Sequence, residues 1–199
     1  MRDLRAQNNA GLDAIAPEVV PGIRVMPVVH GRVEMAALIR SVIDALEPDG
    51  VAVELPTTLA GPISNAVARL PLMSLVIAEA PGEEAVVWVV APGDPFAEAL
   101  RWGQERGRPT FCVDPDIRYV ERHRDPVPDP YVIWEMGGAR YLDLIRENSA
   151  ARSSSQDRQR EAGMAFHATE AKNALGEGVL LVVVGAAHAS GLSDALSRP

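Results

Sequence analysis

Short apolar runs rich in β-branched residues alternate along this chain with longer stretches in which apolar side chains recur every three or four positions. The runs at 23–29, 51–54, 86–91, 110–113 and 179–184 have the length and composition of buried strands. Between the first two, Val33, Ala36, Ala37, Ile39, Ile43 and Leu46 give 33–46 the broad apolar face of an amphipathic helix. Pro48-Asp49-Gly50 turns the chain into the second strand, and Pro56 keeps that strand from extending. Asp94-Pro95 reads as an N-cap with proline at the first helical position, opening a helix to about 106 that Gly107 ends. Further helices are expected at 131–148, with Gly137-Gly138 as a kink or close-packing point, and at 156–175, closed by Gly176. Thr57 or Thr58 caps a helix to about 70, whereas 72–80 fits a buried helix or a strand equally well. This alternation predicts an α/β fold, with a mainly parallel central sheet and helices on both faces. Residues 1–20 are expected to be a loose or weakly helical lead-in, and 21–199 a single domain. The chain's end soon after His188 fits the front part of a longer protein. The charged, proline-rich stretch 121–130 reads as a loop able to serve as a lid.

In open parallel sheets, ligands bind beyond the carboxyl ends of the strands. Residues that follow strands therefore carry the candidate chemistry. The first strand runs into His30, the second into Glu54, and the last into Gly185-Ala186-Ala187-His188. Two other strand ends lead into Asp94 and Asp114. His30, Glu54 and His188 are thus expected to converge on one sheet edge. Glu34, four residues beyond His30, falls in the first helical turn and can orient the imidazole or share a metal with it. It can equally well just complement the helix dipole. Arg160 sits among Asp157, Arg158 and Glu161 at the start of a long helix. Charges there are usually solvated, but an arginine can also bind a carboxylate or oxyanion in two places at once.

Composition narrows the function. The chain has 199 residues, 47% of them hydrophobic and 23% charged, which is ordinary for a globular domain. A net charge of -8 argues against nucleic-acid binding. No apolar run approaches the ~18 residues of a membrane span, and the polar N-terminus lacks a signal-peptide core. A cytoplasmic protein without nucleic-acid or membrane partners is expected, acting on a small-molecule or peptide substrate. A two-fold homodimer is the default assembly. The single cysteine, Cys112, excludes an internal disulfide and a cysteine zinc cluster, and its strand-like setting suits a core thiol. His123, in the charged loop, and His167, beside Phe166, are expected not to be ligands. Tyr131, Trp134 and Tyr141 fall on one expected helix, where packing is the simplest role. There is no Gly-x-Ser-x-Gly elbow, no P-loop and no His-Glu-x-x-His helix.

Four segments together resemble a known superfamily. They are Pro27-Val28-Val29-His30, Pro48-Asp49-Gly50-Val51-Ala52-Val53-Glu54, Arg160-Glu161-Ala162-Gly163-Met164-Ala165 and Gly185-Ala186-Ala187-His188. In order and spacing they are similar to the motifs of the superfamily that joins TraB and PrgY proteins, TIKI metalloproteases, ChaN haem-binding proteins and erythromycin esterases. The His-Gly-x-x-Glu of His30 to Glu34 resembles the first motif of the esterase branch. The similarity spans roughly 22–192, with Pro27 standing where the first motif has glycine. It implies that His30, Glu54 and His188 line a site with Arg160 beside them.

The leading expectation is a metal-dependent hydrolase of peptide, amide or ester bonds. His30, Glu54 and His188 would hold Mn²⁺, Zn²⁺, Co²⁺ or Fe²⁺, with Glu34 or Glu54 as general base and Arg160 steadying the oxyanion. One alternative is metal-free hydrolysis, as in the esterase branch, with His30 activating water directly. The other is a non-catalytic sensor or ligand-binding module. Haem is its least favoured version, with Tyr131 or Tyr141 as axial phenolate.

Overall fold

The computed structural model describes residues 9–79, 85–115, 127–148 and 154–198. In chain order its elements are α1 (Asn9–Ile15), β1 (Glu18–Val20), β2 (Ile23–Val28), α2 (Val33–Leu46), β3 (Gly50–Pro56), α3 (Ala60–Val67), β4 (Ser74–Ala78), β5 (Val86–Val90), α4 (Pro95–Glu105), β6 (Thr110–Asp114), α5 (Ile133–Met136), α6 (Gly138–Asn148), α7 (Ser155–Leu175), β7 (Leu180–Gly185) and α8 (Ala186–Leu196). Single 3₁₀ turns at Thr57–Leu59 and Pro130–Val132 lead into α3 and α5.

The fold is α/β, built on a five-stranded sheet of order β1-β2-β7-β3-β6. The β2–β7, β7–β3 and β3–β6 ladders are parallel; only β1 runs antiparallel, to β2. Side chains along a strand alternate between faces, and β7 shows what that does here. Leu181 and Val183 join a core formed with α2 and α4, through Ile39, Ile43, Phe96 and Leu100. Leu180, Val182 and Val184 join a second core with α7 and α8, through Met164, Ala168, Ala171 and Leu192. All five β7 side chains are fully buried, so the run needs no polar positions. Pro27 is tolerated in β2 because β1 reaches only Ile23 and Arg24, leaving the far half of β2 as a sheet edge.

Three expectations need correction. First, the 86–91 run does not enter the central sheet. As β5 it pairs antiparallel with β4 in a separate two-stranded ribbon, which also resolves the 72–80 ambiguity in favour of a strand. Second, 131–148 is not one helix. Gly137, at φ 82°, breaks it into α5 and α6, so Tyr131, Trp134 and Tyr141 fall on three different elements. Third, the lead-in is more ordered than expected, since its described part forms α1 and the edge strand β1. Most of the expected lid, 121–126, lies outside the described residues, as does His123.

Candidate functional site

Ser154 caps α7, accepting from the Asp157 N–H, while the Asp157 carboxylate accepts from the Ser154 N–H. This fixed start sets the helical phase. Asp157, Arg160, Glu161, Met164, Ala165, Ala168 and Ala171 then form one buried stripe. Its far part is small and apolar, which seats the helix close to the sheet. Its near part is charged, and it lies at the carboxyl edge, where β3 and β6 end.

Arg160 is the hub of that edge. Its Nε donates to Asp114 Oδ1 at 3.1 Å, and Nη2 donates to Asp114 Oδ2 and to Glu54 Oε1, each at 2.8 Å. Nη1 lies 2.9 Å from His188 Nε2. A guanidinium only donates, so His188 Nε2 is an acceptor there. The imidazole proton must then be on Nδ1, which donates to Glu161 Oε1 at 3.3 Å. Geometry therefore sets the tautomer of a ring in the first turn of α8. Glu54 also accepts the Gly185 N–H at 2.6 Å, at the start of the same helix, where the dipole favours a negative charge. Arg160, Glu54, Asp114, Glu161 and His188 are all buried. Burial pulls the guanidinium pKa down, but the hydrogen bonds and charges of Asp114 and Glu54 outweigh this and raise it. Burial pushes the Asp114 carboxyl up, opposed by Arg160 and assisted by the Glu54 charge.

His30 lies in front of this buried cluster and is exposed. Gly31, at φ 64°, turns the chain from β2 towards α2 and leaves the ring standing at the edge. The ring meets Phe96 edge-on, with centroids 4.8 Å apart. Phe96 is held by the start of α4, where Asp94 caps the helix by accepting the Ala97 N–H at 2.9 Å, as the sequence predicts. Burial raises the Asp94 pKa, with the Ala97 N–H and the charge of nearby His30 opposing it. A Cβ at Gly185 would fall 2.6 Å from His30 Nε2 and 3.1 Å from Glu54 Oε2. Only glycine lets those two side chains converge there.

The sheet thus brings His30, Glu54, Arg160 and His188 to one edge. Glu34 lies half-buried in the first turn of α2, outside the set of side chains that bind Arg160. Asp114, one of the strand ends that the sequence marks, and Glu161, which reads there as a solvated first-turn charge, join the set. The signal for them was present: Asp114 ends a strand, and Glu161 continues the apolar stripe of α7. Four of the five Arg160 N–H groups are assigned within this cluster.

Of the expected metal ligands, Glu54 Oε1 and His188 Nε2 face Arg160, while Glu54 Oε2 faces the Gly185 N–H. Among the described residues no group of three or more His, Cys, Asp or Glu side chains is arranged to hold a metal. Tyr141 is fully buried and donates its hydroxyl to the Pro128 carbonyl at 2.9 Å, so it does not offer an axial phenolate, whereas Tyr131 is exposed. Among the described residues no helix is long and apolar enough to cross a membrane. Comparisons with family profiles, curated proteins and solved structures found no match to this chain.

Proposed function

We propose that this protein is a hydrolase of ester or amide bonds in which His30 is the general base and no metal takes part in the step. The observation that carries this reading is the contrast between the two histidines. His188 is buried, with both ring nitrogens engaged by Arg160 and Glu161. His30 is exposed at the same edge, with its Nε2 beside Gly185 and Glu54. Imidazole suits proton transfer near neutral pH. In the proposed step His30 removes a proton from water as the water oxygen bonds to the carbonyl carbon. The carbon–leaving-group bond then breaks, and the leaving group takes the proton from the imidazolium. Glu54 faces the imidazolium that forms and stabilises it, while Arg160 holds Glu54 in place. Glu54 and Arg160 are in this sense positioning residues.

The metal-dependent form rests on the convergence of His30 and Glu54 at Gly185. It requires His188 to exchange Arg160 for an ion. The two forms separate in one assay. Hydrolysis of a panel of p-nitrophenyl esters and aryl amides is measured with and without EDTA, for the wild type, His30→Ala and His30→Gln. On the metal-free reading, activity survives the chelator and falls by about 10²–10⁴-fold in both variants. Activity lost to EDTA and restored by Mn²⁺ or Zn²⁺ selects the metal form. No turnover of any substrate removes both and leaves the ligand-binding module.

A further inference from the structure

The β4–β5 ribbon has two unlike faces. Val76 and Val90 are buried and join the core shared with α2 and α4, and Trp88, opposite Val76, packs against the same core. On the other face the directly opposed pairs Leu75–Val89 and Ile77–Val87 stand in the open, 62%, 53%, 53% and 50% exposed for Leu75, Val89, Ile77 and Val87. Leu72 and Met73, just before the ribbon, are exposed to a similar degree.

We infer that this face is the contact surface of a homodimer, covered by the same face of a second copy. Four observations support that occupant. A two-stranded ribbon draws its stability from what packs on it, and the outer side of this one is apolar and open, so it gains from a cover there. The outer face presents only aliphatic side chains, so it offers no polar group for a polar partner to pair with. Neither Ser74–Ala78 nor Val86–Val90 carries a charged residue, although the chain's net charge is -8. Two copies therefore meet here without the like-charge repulsion that the rest of the surface generates. The third point concerns symmetry: a two-fold contact needs a patch that complements itself, and an all-aliphatic face does so in any register that buries it. Lastly, Leu72, Met73, Leu75, Ile77, Val87 and Val89 are all at least half exposed and adjoin one another along the ribbon, an apolar patch of the kind that marks an interaction site.

The test is sedimentation across a dilution series of the full chain, for the wild type and for Ile77→Glu/Val87→Glu, with far-UV circular dichroism to confirm folding. A wild-type dimer and a folded monomeric variant are expected. If the double glutamate variant does not fold, Ile77→Thr/Val87→Thr keeps strand propensity, and it should raise the dimer Kd by roughly tenfold or more. Three outcomes overturn the inference. One is a wild type that stays monomeric at every concentration. Another is a folded variant that dimerises as tightly as the wild type. The last is a monomeric wild type that binds phosphatidylcholine vesicles, which assigns the face to lipid. None of these readouts depends on hydrolytic activity, so this inference and the hydrolase reading stand or fall separately.

Discussion

Arg160 bridges two carboxylates that the sheet has removed from water, Glu54 and Asp114. A buried charge without its partner is costly, and more so when several share a site. Arg160→Met keeps much of the side-chain length and removes the cation from between Glu54 and Asp114. We expect it to lower stability by about 3–5 kcal/mol in urea unfolding. A loss below about 1 kcal/mol, the range of solvated surface pairs, would mean the cluster is not buried in solution. The proposed site divides at this scale. His188, Glu161, Asp114 and Arg160 form the scaffold, and His30 in front of them is the exposed group. That division could not be seen in the sequence, where both histidines simply follow apolar strands. It depends on which nitrogen meets which partner, and Arg160 reaches His188 from a helix 28 residues away.

At the scale of elements, α7 and α8 are pressed together through a glycine. A Cβ at Gly191 would fall on the Glu161 carboxylate. Gly191→Ala should therefore push Glu161 off His188 Nδ1 or force the helices apart, costing about 1–3 kcal/mol in thermal unfolding. In a Glu161→Ala background the same substitution should be nearly neutral; an unchanged cost there would place the clash elsewhere. Elements with strong local signals were readable. Helix α2 occupies the residues its apolar period marks, and α4 starts at its Asp94-Pro95 cap. The misreadings occurred where local pattern is silent. An apolar five-residue strand looks the same in a parallel sheet and in an antiparallel ribbon, so the sequence alone does not place β5 outside the central sheet. The charged start of α7 looks like a solvated first turn unless its residues are placed in phase with Met164, Ala168 and Ala171. In that phase Asp157, Arg160 and Glu161 face inward, and the sequence does contain this cue.

For the whole molecule, stability should be graded outward from β7. Its side chains are fully buried and it is paired on both sides, by β2 and β3. The ribbon has a single ladder and one open face. In native-state hydrogen exchange we expect the Leu181–Val183 amides to exchange only through global unfolding, and the β4–β5 amides through cheaper local opening. Equal protection in the two would contradict this gradient.

The strand order also has a consequence for synthesis. β7 follows every other described strand in the chain, yet it lies between β2 and β3, which have no ladder with each other. Until it emerges, the edges of β2 and β3 that it pairs with stay open. The Gly185 N–H and, in the first turn of α8, His188 come with it, so until then Glu54 and Arg160 have each other and Asp114 but each lack one further partner. The same segment therefore completes both the central sheet and the buried ionic hub.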